Sequence, residues 1–228
     1  MNLLVEQTDG LDIDMMPYVD ELENLIHDFL FAPNSIKYLQ SVSADEEVSA
    51  VLDAGHIFSD HPNVNELHLT LMINDDSAAS IDAMYACDVE DRSQSNLLLM
   101  VDLPREYSEI PELHGWLSAE LGDALSHELQ HSCDATEMLA GDCPEGAEKW
   151  QSTELIGKYY GCEAEVRGHV AGILGRARRT GQNPYGLLDD DMGTILAKAV
   201  DRGYTEKEMR PVLQQIYGKW LARLEVLL

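Results

Sequence analysis

Residues 126–132 read SHELQHS, placing His127 and His131 four positions apart with Glu128 directly after the first histidine. Upstream, Leu117, Leu121, Leu125 and Leu129 recur every four residues, as on one face of a helix. Pro111 suits the first turn of that helix, and the pattern can continue to about residue 139. The leucines form the stripe to be buried, and Glu120, Ala124, His127, Glu128 and His131 fall on the stripe beside it. Two imidazoles at i and i+4 stand about 5–6 Å apart at Cβ and can share one cation. Glu128 is rotated about 100° from His127, which suits it to a water beside that cation and not to the cation itself. An ion that acidifies water and a carboxylate that takes its proton are what metal-assisted hydrolysis requires. Two ordinary histidines on a polar helix would satisfy the same five residues, so the metal reading needs a third donor.

The place to look is YYGCEAEVRGHV (159–170), within a helix expected over Glu154–Arg179 and closed by Thr180-Gly181 and Asn183-Pro184. It offers Glu163, Glu165 and His169. The alternative for each is a solvated helix face. Tyr159, Tyr160, Arg167 and His169 are the candidate donors to a developing oxyanion. Gln130 and Asp134 could orient the metal-binding histidines. Cys133 and Cys162 flank the two segments and could approach a metal, although buried inert thiols are commoner.

The pair of segments resembles the gluzincins, zinc peptidases with HExxH on one helix and a glutamate ligand on the next. Their third-ligand segment carries a small residue three positions after the glutamate, which lets the two helices pack closely. Glu165 has Gly168 there and Glu163 has Val166. The resemblance therefore implies Zn²⁺ held by His127, His131 and Glu165, with Glu163 as the runner-up, and Glu128 as general base in peptide hydrolysis. It covers about 50 residues, from Ala119 to Gly172. Metzincins want a glycine and a third histidine where this chain has Asp134 and Glu137, and aspzincins want an acid where Lys198 follows Gly193-Thr194. HVAGILGRAR (169–178) is also similar to small zincin-like proteins of tailed bacteriophages and other viruses, which implies virion association as an option. Two further readings stay open: a non-catalytic structural protein on the same fold, and hydrolysis of a non-peptide amide.

The chain has 228 residues, 45% of them hydrophobic, with net charge −27. Residues 1–150 hold 32 acids against 4 Lys or Arg, net −28, whereas residues 151–228 hold 10 against 11, net +1. Such an acidic front half argues against nucleic-acid binding and favours cationic peptide or protein substrates. GRARRTG (175–181), the one basic cluster, is expected to face those acids or solvent. No apolar run reaches the ~18 residues of a membrane span, and MNLLVEQTDGLDID lacks the pattern of a signal peptide, so a cytoplasmic location is expected. Cys87, Cys133, Cys143 and Cys162 form no CxxC pair and are expected as free thiols.

The fold expected is α+β and zincin-like, one domain over residues 1–228. Residues 1–110 would hold an N-terminal helix over Met15–Phe31, a short helix near Asp45–Leu52 and a small mixed sheet. Its strands would be ELHLTLMIN (66–74), SIDAMYACD (80–88) and SNLLLMVDLP (95–104). The gluzincin resemblance implies an edge strand that pairs with an extended substrate, and residues 95–104 are the candidate for it. Residues 111–180 would carry the two metal-site helices. Residues 181–228 would add helices near Asp190–Asp201 and Glu206–Leu228, with Thr205 and Glu208 matching a capping box and Pro211 arguing for a later start.

Overall fold

The computed structural model describes residues 16–228 apart from 45, 53, 55–56, 58–63, 76–77, 89, 92–93, 135–142 and 145. It is α+β, with seven helices and four strands among the described residues. Two compact units result: the residues up to Ser108 with Ser132–Asp134, and Glu109–His131 with the residues from Cys143 onward. No described helix is long and apolar enough to cross a membrane.

In the first unit, α1 (Met16–Phe31) buries Val19, Leu22, Ile26 and Leu30, the face its periodicity marked. A shorter α2 (Pro33–Ser41) starts on Pro33, where a missing N–H costs nothing. The segment expected as a helix near Asp45–Leu52 is instead strand β1 (Glu47–Leu52). Its EVSAVL alternates along a strand, and pairing with a neighbour satisfies a backbone that six residues of helix could not stabilise alone. β2 (Glu66–Asn74), β3 (Ser80–Ala86) and β4 (Asn96–Pro104) follow, and the sheet order is β1-β2-β4-β3. β2 and β4 run parallel, and the outer pairs are antiparallel, so the sheet is mixed. β4 is therefore an interior strand, which overturns its assignment as the edge for substrate. Its continuous apolar run fits that position, since Leu97, Leu99, Val101 and Leu103 bury on one face while Leu98 is half-covered on the other. Tyr107, fully buried, donates from its hydroxyl to the Leu30 carbonyl at 2.6 Å and ties the end of β4 to α1.

In the second unit, α3 (Pro111–Cys133) begins at Pro111 and buries Leu117, Leu121, Leu125 and Leu129 as expected. Its expected extension beyond residue 134 lies outside the described residues. The single helix expected over Glu154–Arg179 is two, α4 (Thr153–Tyr160) and α5 (Glu163–Thr180), separated by Gly161-Cys162. Tertiary contacts hold that break open. Trp220 Nε1 donates to the Tyr160 carbonyl at 2.7 Å and Lys219 donates to the Gly161 carbonyl, so acceptors that end α4 are satisfied from elsewhere in the chain. Cys162, the N-cap of α5, is disulfide-bonded to Cys143, correcting the expectation of free thiols at both positions. Helix α6 (Pro184–Asp201) starts earlier than expected, capped by Asn183. Helix α7 (Glu206–Leu227) begins at its capping box, with Thr205 and Glu208 bonding reciprocally, and Pro211 sits inside it. Trp220, Ile216 and Leu224 of α7 join Ile156, Val170, Ile173, Leu188 and Ile195 in the core of this unit.

α3 and α5 meet along a seam of glycines. Gly168, Gly172 and Gly175 lie on one face of α5, and a Cβ at any of them would strike α3. At Gly172 it would overlap Asp123 Oδ1 and lie 3.2 Å from the Asp123 carbonyl oxygen; at Gly175 it would overlap the Gly122 carbonyl and Ser126 Oγ. Beside the seam Arg176 pairs with Asp123 at 3.1 Å and with Asp191 of α6. The basic cluster thus spends this arginine on an internal bridge. Burial pushes the Asp123 carboxyl up to about 7, with the Arg176 charge opposing the shift.

Two outcomes follow for stability. Gly172→Ala should destabilise by about 1–3 kcal/mol by overpacking, whereas Gly193→Ala, exposed in α6 with open space around it, should stabilise by about 0.5–1 kcal/mol; urea unfolding of both variants checks this. Asp123 holds its proton more tightly folded, at about 7, than unfolded, at 3.8, so its contribution favours folding at acid pH and is lost as pH rises through about 7. The parent should therefore gain stability relative to Asp123→Asn as pH falls from about 7.5 to 4.5, and unfolding curves across that range measure it.

Candidate metal centre

His127 and His131 stand on consecutive turns at the C-terminal end of α3, with ring centroids 4.8 Å apart and planes at 75°. Their Nε2 atoms are 3.1 Å apart. Glu165, in the first turn of α5, places Oε2 at 3.7 Å from His127 Nε2 and Oε1 at 3.9 Å from His131 Nε2. One donor atom from each of the three residues falls within 4.8 Å of the others, a group that could hold a metal ion. For donors about 2.0–2.1 Å from a tetrahedral ion, neighbouring donors should be about 3.3 Å apart. The two imidazole nitrogens fit that edge directly, and the carboxylate oxygens stand slightly beyond it.

The glycine seam makes this approach possible. Gly168, one turn after Glu165, faces the His127 ring, and a Cβ there would lie 2.8 Å from Nε2 and 2.9 Å from Cδ2. Glu163 lies two positions before Glu165, about 200° around the helix, and is exposed. Between the two acids expected as alternatives, the structure brings Glu165 to the histidines and leaves Glu163 in solvent. Cys162 is withdrawn from metal binding by its disulfide. The Cys133 side chain lies outside the described residues.

Glu128 Oε1 is 3.9 Å from His127 Nε2, and its side chain is only 12% exposed. His169, one turn after Glu165, sets Nε2 at 3.5 Å from Glu165 Oε2, and its ring is 4.5 Å from that of His127. Its other face stacks on Trp220 at 4.3 Å with the rings 21° from parallel. Tyr159 lies close enough to Glu165 for the carboxylate charge, after burial, to raise its hydroxyl pKa. Tyr160 packs 4.8 Å from the Tyr159 ring and 5.4 Å from the His169 ring. Lys149, on the 3-10 turn Gly146–Trp150, rests 3.7 Å from the Tyr159 ring centroid. Gln130, Asp134 and Arg167 are buried.

The electrostatics favour neutral imidazoles, the form that offers a lone pair to a cation. Burial holds His127 well below its ordinary value, reinforced by the charges of His169, His131 and Lys149. Burial likewise lowers His169 to about 3. The tyrosines move the opposite way. Burial and then the Glu165 charge raise Tyr159 far above its usual range and push Tyr160 up to about 12, so both keep their protons at neutral pH.

Comparison with family models, curated proteins and solved structures finds no match for this chain. The site must accordingly be judged on its own residues. Two of them escaped the sequence reading. Trp220, 51 residues after His169, looked like one more apolar residue of a C-terminal helix, and Lys149 lay in a segment read as loop. Nothing in local periodicity distinguishes either one. The only available signal was compositional, since Lys149 is one of four basic residues in the first 150.

Gly168→Ala should leave the helices folded but displace the His127 ring by a few tenths of an ångström, weakening any metal binding at the three donors on the order of 10–100-fold. Competition against a chromophoric chelator, with circular dichroism as the folding control, measures it.

Proposed function

We propose that the chain is a zinc-dependent peptidase with a zincin-like site. His127, His131 and Glu165 would hold the ion, and Glu128 would serve as general base. The observation that carries the reading is the convergence of two histidines from α3 and one glutamate from α5, with a second, poorly exposed carboxylate beside them. A structural site would need only the convergent donors; the fourth group favours chemistry. When bound, the ion supplies Lewis acidity that polarises a carbonyl and acidifies water.

The protein residues divide the remaining work. Glu128 takes a proton from the attacking water and returns it to the departing amine, so the C–N bond breaks as N–H forms. Tyr159, protonated beside the Glu165 carboxylate, is a candidate to steady that group or to donate to the oxyanion. His169, braced by Trp220, and Tyr160, still protonated at neutral pH, are the remaining candidates to donate to the oxyanion. The Cys143–Cys162 disulfide favours action in an oxidising compartment over the expected cytoplasm. The scaffold and non-peptide amidase readings have no observation that sets them above hydrolysis of a peptide bond.

Zinc analysis and a mixed peptide library, with and without chelator, test this directly. The parent should bind about one zinc and cleave, losing activity on chelation and recovering it with added zinc. Glu165→Ala should lose the metal while Glu163→Ala keeps it. Glu128→Gln should keep the metal and cleave at least about 100-fold more slowly. A parent that binds zinc yet cleaves nothing would overturn the catalytic reading and leave a metal-binding scaffold.

A further inference from the structure

The sheet of the first unit has one buried face and one that is partly exposed. On the partly exposed face, register aligns Val51, His68, Leu98 and Met84 in one row, Ser49, Thr70, Met100 and Asp82 in the next, and Glu47, Met72, Asp102 and Ser80 in the third. Met84, Leu98, Met100 and Met72 therefore form a diagonal apolar stripe from β3 across β4 to β2. With strands about 4.8 Å apart and alternate residues about 6.8 Å apart along a strand, the stripe is on the order of 17 Å long. Met84 is 55% exposed and Met100 48% exposed, unusual for side chains of this size at the middle of strands.

Within the strands, the charge beside the stripe has one sign. Asp82 and Asp102 border one side, and Glu47 and Glu66 lie on the other. The four strands contain no Lys or Arg, and the only ring nitrogen on the face, in His68, sits 3.0 Å from Glu66. Three of the four stripe residues are methionine, whose flexible thioether adapts to different partner shapes. A second copy of the chain would bring another −27 to this face, so self-association is electrostatically opposed.

We infer that this face docks a basic amphipathic helix of a partner protein, whose apolar stripe lies on Met84, Leu98, Met100 and Met72 and whose flanking Lys or Arg side chains meet Asp82, Asp102, Glu47 and Glu66. About three turns of helix span the stripe at 1.5 Å per residue. This docking does not rest on the proposed function.

The probe is a synthetic 18-residue helix with a leucine face flanked by lysines, compared with a scrambled peptide of identical composition and with a glutamate counterpart. Fluorescence anisotropy at about 0.15 M salt should show the amphipathic lysine peptide binding at least 10-fold more tightly than the other two, with or without chelator. Met84→Glu and Met100→Glu separate docking from simple charge attraction. Each adds negative charge, so attraction alone predicts tighter binding, whereas docking on the stripe predicts at least a 10-fold loss. Met100→Thr, a substitution that suits a strand, should weaken binding without added charge and guards against misfolding of the glutamate variants. Amide exchange should slow in β3 and β4 on binding. Equal binding of the scrambled peptide, or undiminished binding by Met100→Glu and Met100→Thr, would overturn the inference. So would sedimentation showing a parent dimer that Met100→Glu disperses, because the face would then belong to a second copy.

Discussion

The candidate site depends on two helices being allowed to touch. α5 presents Gly168, Gly172 and Gly175 to α3, and at each of them the space for a side chain is already filled by atoms of α3. Ordinary helix pairs stand 8–10 Å apart because side chains interdigitate between them. Removing the side chains along one face lets backbone meet side chain directly, and this closeness brings a glutamate on one helix within 4 Å of two histidines on the other. The same closeness buries Asp123 against Gly172, where the pairing with Arg176 offsets part of the loss of water. The seam thus sets both the reach of the ligands and the charge balance next to them.

Behind the candidate donors, α7 acts as a brace. Trp220 is fully buried, stacks on His169 with its ring and donates to the Tyr160 carbonyl with its indole N–H. One side chain thereby fixes a candidate catalytic ring and the end of α4. The corner it secures, Tyr160-Gly161-Cys162, is also held by Lys219 and by the bond to Cys143. Glu165 lies one turn beyond that corner, so the direction of the ligand is set by contacts made 60 residues away along the chain. Neutral His127 and His169 and protonated Tyr159 and Tyr160 follow from the same burial, since an interior poor in water disfavours the charged form of each.

Where the sequence misled, a long-range contact outweighed a local preference. Glu154–Arg179 reads as one helix although it holds five glycines, and the break falls at one of them, Gly161-Cys162, where α7 and Cys143 satisfy and hold the ends. EVSAVL reads ambiguously over six residues, and the neighbouring strand β2 resolves it as β1. β4 could have been an edge or an interior strand from its apolar run, and β3, a strand before it in sequence, takes the remaining edge. Cysteine spacing carried no trace of which thiols meet, since distance through space is not encoded in distance along the chain.

By itself the sequence determined what repeats within a few residues: the leucine stripe of α3, the buried face of α1, the capping box at Thr205, and two imidazoles one turn apart with an acid beside them. These are legible because helix geometry converts spacing into direction without reference to anything else. The sequence held a preference for Glu165 over Glu163, and tertiary structure decided which acid approaches the histidines. Glu163 and Glu165 point to opposite sides of α5, and only the packing of that helix on α3, through glycines with no side chain to intervene, turns one inward and leaves the other in water.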